Sequence, residues 1–257
     1  MRAPVSEAPL LRLTRVGKTF GGIHALSSLS CDVREGQIVG VIGPNGAGKT
    51  TLFNVITGAY RASAGEVRFT GETITDWPSY RIARAGIART FQNIRLFGGM
   101  TVWDHLMVSQ PHSEAALRRF LPTRWANPTA EARAEEMLAF FGLGSVRDRI
   151  AAALPYGIQR KVEMARALSA GPKLLLLDEP VAGMNVDEAD EVRRLLVRLR
   201  ERGLTILLIE HDMTFVMDLC DYLYVLDFGA LIAEGRPEEV RGNPVVLDAY
   251  LGHEADA

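Results

Sequence analysis

Cysteine is scarce in this chain: two occur in 257 residues, Cys31 and Cys220. They stand in apolar surroundings without C-x-x-C spacing, so buried free thiols in a reducing compartment are expected, not a disulfide. Long apolar runs are missing as well. No stretch approaches the ~20 residues of a membrane span. Leu174–Leu177 and Thr205–Ile209 have the length of buried strands, so any membrane crossing falls to another chain. Met1 to Pro9 (MRAPVSEAP) carries no apolar signal core. Excess positive charge is lacking too. A formal net charge of −2 argues against a broad nucleic-acid footprint. No internal repeat is present. What remains is a globular composition, 47% hydrophobic and 23% charged, in a chain long enough for one large domain or two small lobes.

The feature that organises the rest is Gly43-Pro44-Asn45-Gly46-Ala47-Gly48-Lys49-Thr50, followed by Thr51. It satisfies G-x-x-x-x-G-K-[ST] at every fixed position. Gln37–Ile42 before it reads as a short buried strand, and Thr51–Thr57 after it as a helix start. Glycines there let successive N–H groups turn inward around a phosphate, and the helix terminus adds partial positive charge. Lys49 can reach the β- and γ-phosphates, and the Thr50 hydroxyl can ligate Mg²⁺.

Alternating patterns at Leu10–Val16, Ala25–Val33 and Val67–Thr70 predict a small antiparallel sheet beside this loop. Phe20, before a Gly-Gly turn, can pack in that sheet or stack on a purine. Arg81–Ala88 reads as helix then strand, leading to Gln92. Beyond it, Ile94, Leu96 and Phe97 look exposed, and Thr101–Val108 has helical spacing. Ser109–Pro128 is an irregular excursion with Pro111, Pro122, Arg118, Arg119 and Arg124. Thr129–Phe141 and Lys161–Ser169 read as helices. The core resumes with strands at Lys173–Asp178 and Thr205–Ile209. Between them lies a helix capped by Asn185 with Glu188 in reciprocal position. A hairpin at Tyr222–Glu234 and a helical tail at Pro237–Leu251 follow. The predicted core is 10–92 plus 168–257, with a helical lobe, 93–167, inserted in it.

Asp178 and Glu179 follow an apolar strand directly, at the edge where α/β proteins place ligands. One carboxylate can hold Mg²⁺, and the other can orient and deprotonate an attacking water. Two acids at a helix start can also simply complement its dipole. His211 stands at the same kind of edge and can bond a γ-phosphate, or be an ordinary surface histidine. Gln92, at the junction with the lobe, can ligate Mg²⁺ when the lobe moves in, or be a plain loop residue. Pro155, Tyr156 and Gly157 open a helix whose N–H groups can take an anion, pointing to a partner's phosphate and a dimer.

In this order, across essentially the whole chain, these features resemble the ATP-binding subunit of ABC transporters. GPNGAGKT is similar to its Walker A, LLLLDE to its Walker B with catalytic Glu179, Gln92 to its Q-loop and His211 to its switch histidine. Phe20 matches its adenine-stacking aromatic, and Leu154–Gln159 its signature. RTFQNIRLF, MTVWDHL, LPYG, EPVAGMN, LLIEHDM and IAEGRPEEVRGNPVVLDAYLG resemble the branched-chain amino acid importer's ATPases, and the long excursion the larger of its two types. The resemblance implies a P-loop NTPase of α/β class, with RecA-like core, antiparallel β subdomain and inserted helical subdomain. It also implies ATP and Mg²⁺, the latter on Thr50, Gln92 and Asp178. The implied partners are a second ATPase subunit, head to tail, and two membrane-spanning permease subunits, with a periplasmic solute-binding protein acting indirectly. The implied location is peripheral, on the cytoplasmic face of the inner membrane. Pro155 replaces the signature serine, Ile158 its glutamine, and Asn185 the usual D-loop aspartate. The first two shift the signature contact onto backbone groups near Tyr156 and Gly157. Other readings are an ATPase of urea or aromatic-acid uptake or lipopolysaccharide export, a soluble ABC ATPase, and a non-catalytic nucleotide-binding module.

Overall fold

The structure, a computed structural model, describes residues 8–110 and 128–254. The excursion with Pro111, Pro122, Arg118, Arg119 and Arg124, and most of the Met1–Pro9 segment, lie outside the described residues. In chain order the elements begin with β1 (Leu11–Phe20), β2 (Ile23–Val33), β3 (Ile38–Ile42), α1 (Lys49–Ile56), β4 (Ala64–Phe69), β5 (Glu72–Thr73), α2 (Ser79–Ala85) and β6 (Ile87–Arg89). Then come α3 (Val102–Val108), α4 (Pro128–Phe141) and α5 (Tyr156–Ser169). The chain returns to β7 (Leu174–Asp178), α6 (Val186–Glu201), β8 (Thr205–Ile209), α7 (Met213–Leu219), β9 (Tyr222–Asp227), β10 (Ala230–Gly235), α8 (Pro237–Arg241) and α9 (Pro244–Glu254).

Two compact units divide the chain. One holds the described residues up to Arg89 and from Lys173 onward; the other runs from Thr90 to Pro172. The helical unit thus starts three residues before the expected 93 and ends five after the expected 167. Among the described residues, the first unit carries an antiparallel sheet in the order β2-β1-β4-β5. It also carries a larger sheet in the order β10-β9-β3-β8-β7-β6. In the larger sheet β9, β3, β8, β7 and β6 run parallel, and β10 is antiparallel to β9. Every residue of β3, β7 and β8 is buried, as unbroken apolar runs require in a sheet covered on both faces. The shared direction brings the carboxyl ends of β3, β7 and β8 to one edge.

Local chemistry fixes the ends of several elements. Asn185 Oδ1 accepts from Glu188 N at 3.0 Å, while Glu188 Oε2 accepts from Asn185 N at 3.1 Å, closing the reciprocal cap of α6. The β9–β10 hairpin turns at Phe228 (φ 42°) and Gly229 (φ 79°), the two positive angles of a type I′ turn. In the helical unit, Thr101 and Asp104 make a second reciprocal cap, on α3. α5 begins at Tyr156, five residues before the expected Lys161, and Pro155 takes the capping position with extended backbone (φ −55°, ψ 150°). The expected α1 start at Thr51 moves to Lys49.

Candidate functional site

The loop after β3 is a cradle in which Gly43 and Gly48 leave no room for a side chain. Gly43 has φ 146°, and a β-carbon there would fall 2.0 Å from the Leu226 carbonyl oxygen. Gly48 has φ 99°, and its β-carbon would fall 2.5 Å from the Ala25 carbonyl. Gly46, at φ 81°, faces open space. Pro44 and Ala47 are buried, Asn45 and Thr50 exposed, and Thr51 half-buried. Lys49 Nζ donates to the Gly43 carbonyl at 2.6 Å and the Pro44 carbonyl at 2.8 Å. Burial lowers the Lys49 pKa, while the nearby Glu179 and Asp178 charges oppose that fall. The ammonium and both carboxylates therefore share one electrostatic site. Tyr250 of α9 buries its hydroxyl toward the Gly43 amide without completing a hydrogen bond of ordinary geometry.

Asp178 ends β7 as a buried carboxylate, 2.8 Å from Arg89 Nη2. Glu179 follows with φ 48°, a left-handed backbone that costs a non-glycine residue about 1–3 kcal/mol and gathers at functional sites. Its N–H is held by the Ile209 carbonyl at 2.9 Å, tying the turn after β7 to the end of β8. His211 Nδ1 lies 3.9 Å from Glu179 Oε1 and is well exposed. Behind it Glu210 is fully buried, accepting from Val181 N and His211 N at 3.1 Å each. Burial raises the Glu210 pKa against those two donors. Asp212 Oδ1 accepts from Phe215 N at 3.0 Å and caps α7. Phe20, half exposed at the end of β1, meets Tyr60 edge to face at 5.2 Å, with Lys18 Nζ 4.6 Å from its ring centre.

In the helical unit, Gln92 is exposed and its backbone is clamped. Arg160, fully buried on α5, donates through Nη1 to the Phe91 carbonyl at 2.7 Å and through Nη2 to the Gln92 carbonyl at 2.9 Å. Glu163 neutralises it at 2.9 Å, and the Tyr156 hydroxyl lies 3.3 Å away. Gln159 Nε2 donates to the Leu154 carbonyl at 2.7 Å and steadies the turn before Pro155. His105, buried and with its pKa lowered by that burial, accepts from Phe97 N at 2.9 Å and orders the segment after Gln92. Phe97 is exposed as expected, whereas Ile94 and Leu96 are half-buried.

The first unit thus brings together Gly43–Thr51, Asp178, Glu179 and His211. The second brings together Gln92, Tyr156 and the helix start with Pro155 and Gly157. Sequence reasoning missed Arg89, Arg160, Glu210 and Tyr250. Glu210 follows an apolar strand as directly as Asp178 does, and that signal could have found it. The others are recognised only through partners far away in sequence.

Residues 26–182 match the family model described as ABC transporter. This chain belongs to the ABC transporter family. Residues 230–256 of the cassette also match the model described as branched-chain amino acid ATP-binding cassette transporter. The cassette is 42% identical over 250 residues to the high-affinity branched-chain amino acid transport ATP-binding protein BraF of Pseudomonas aeruginosa, covering 95% of this chain and 98% of that one. It is 41% identical over 251 residues to the corresponding protein LivG of Escherichia coli strain K12, with the same coverage. Its fold is that of the solved ATP-binding cassettes. The crystal structure of the ADP conformation of an ATP-binding cassette of an ABC transporter superposes with a TM-score of 0.83 at 34% identity, covering 95% of this chain and 98% of that one.

Proposed function

We propose that this chain hydrolyses ATP as the energy-supplying subunit of an importer of branched-chain amino acids. The observation that carries the reading is the meeting of Lys49, Asp178 and Glu179 at the carboxyl edge of one sheet, with His211 Nδ1 3.9 Å from Glu179. The solute follows from the branched-chain amino acid transport role of the relatives and from the match over residues 230–256. Assignment to the larger of that importer's two ATPase types rests on the long excursion Ser109–Pro128.

In this reading the Gly43–Thr51 amides surround the phosphates and Lys49 exchanges its loop carbonyls for phosphate oxygens. Phe20 supports the base. Glu179 takes the proton of the attacking water, and His211 bonds the γ-phosphate and steadies Glu179. Thr50 and Asp178 offer hard oxygen donors beside a cradle for phosphate, the partial ligand set Mg²⁺ favours when phosphate and water complete it. Gln92 adds an amide oxygen from the helical unit. The ion, when bound, neutralises charge developing on the transferred phosphate. The amides of Tyr156 and Gly157, opened by Pro155, meet the nucleotide of a second ATPase subunit, identical or paralogous, arranged head to tail. Two permease subunits cross the membrane, and a periplasmic receptor delivers the solute. No described helix is long and apolar enough to cross a membrane, in keeping with a peripheral place on the cytoplasmic face.

Phosphate release from the assembled transporter tests the reading. Glu179→Gln retains ATP binding and loses turnover by about a hundredfold or more, the contribution of a positioned general base. Wild-type turnover in that variant removes Glu179 from the role.

A further inference from the structure

Arg89 closes β6 with a side chain only 9% exposed. Its Nη2 donates to Asp178 Oδ2 at 2.8 Å, at the end of β7. Its Nη1 donates to Asn54 Oδ1 at 2.6 Å, on the helix that begins at Lys49. The guanidinium also faces the Phe53 ring, 5.5 Å from its centre. One planar cation therefore joins the helix of the phosphate cradle, the carboxylate at the strand edge, and the strand that runs on to Gln92. Burying such an ion pair is a weak route to stability, because desolvation offsets the attraction. The pair sits on the one carboxylate that the reading above assigns to the metal.

We propose that Arg89 is a positioning residue that shares Asp178 with the metal–nucleotide. It occupies Oδ2, fixes the direction of the other carboxylate oxygen, and weakens the hold on a second cation by its own charge. The proposal rests on the ATPase reading. A carboxylate already fixed needs no reorganisation during reaction, which favours turnover. A guanidinium at contact distance repels Mg²⁺ from the same carboxylate, which favours release of the metal after turnover. The two effects act in opposite directions on two observables, and a merely structural role would not separate them.

The test uses the full-length chain and its variants Arg89→Gln and Arg89→Lys. Mg²⁺ is titrated into protein with AMP-PNP, following the rise in melting temperature, and ATPase activity is titrated in parallel. AMP-PNP binding in EDTA gives the metal-free reference. In Arg89→Gln the half-effective Mg²⁺ concentration falls by about threefold or more as the competing charge is removed. Its kcat falls by about tenfold as the carboxylate loses its fixed direction. Arg89→Lys keeps the charge but not the fork that spans two partners, so kcat falls while the half-effective Mg²⁺ stays within about twofold of wild type. An unchanged or raised Mg²⁺ requirement in Arg89→Gln, or wild-type kcat in Arg89→Lys, overturns the proposal. If Arg89→Gln does not fold, Arg89→Lys decides: a fallen kcat with the half-effective Mg²⁺ within about twofold of wild type supports the proposal, and any other combination overturns it. A wild-type chain that binds AMP-PNP neither with Mg²⁺ nor in EDTA overturns the ATPase reading and this proposal together.

Discussion

Two glycines three residues apart in the cradle answer very differently to one methyl group. In Gly43→Ala the new β-carbon falls 2.0 Å from the Leu226 oxygen and 3.0 Å from its carbon. A carbon–oxygen contact needs about 3.3 Å, so β9 or the loop must yield by more than about 1 Å. β9 is pinned between β3 and β10 and cannot yield alone. The backbone angle, φ 146°, is itself one that L-residues avoid. Overpacking at about 1–3 kcal/mol and backbone strain at about 1–3 kcal/mol together give a loss of about 2–6 kcal/mol. Gly46→Ala meets nothing within 4 Å and pays only for its left-handed angle, about 1–2 kcal/mol. At roughly 2–4 °C per kcal/mol for a chain of this size, Gly46→Ala melts about 2–8 °C below wild type and Gly43→Ala about 4–24 °C below it. Circular dichroism melting compares the two, and nucleotide binding is measured on whichever folds. Gly46→Ala keeps its fold and still binds ATP more weakly, because its methyl stands where the cradle opens to solvent. Equal melting temperatures for the two variants would refute the steric reasoning.

Glu210 makes stability depend on pH. Its folded pKa is raised by burial, so the stability linked to it is fully present below the ordinary value of about 4.3 and is lost as pH rises through the raised value. Melting curves should show wild type losing ground to Glu210→Gln over that window; parallel curves would count against it. The same variant replaces one acceptor by an amide donor facing Val181 N or His211 N, costing about 1–3 kcal/mol at every pH. Arg160→Gln leaves Glu163 buried without its cation and should cost about 3–5 kcal/mol. The double variant Arg160→Gln/Glu163→Gln should regain part of that loss, and additive losses in thermal unfolding would argue against a coupled pair.

What the sequence discloses here depends on how local the cause is. β3, β7 and β8 are unbroken apolar runs, and Asn185 with Glu188 cap their helix within four residues, so these elements follow from neighbours alone. The Gly43–Thr50 loop, Asp178 and Glu179 are legible for the same reason. The start of α5 near Pro155 is legible as well, because proline suits the first positions of a helix, although regular helical pattern shows only from Lys161 onward. α7 is a seven-residue helix, too short to show a period. Arg89 and Arg160 look like ordinary arginines until the fold brings Asp178, 89 residues away, and the Gln92 carbonyl, 68 residues away, to them.

The grip of Arg160 has a mechanical corollary. Successive carbonyls of an extended chain point apart, yet those of Phe91 and Gln92 both turn to one rigid, planar group. The peptide between them is bent and bolted to the α5 helix that opens after Pro155. Any tilt of that helix carries Gln92 with it like the arm of a crank, leaving only its own side-chain torsions to take up slack.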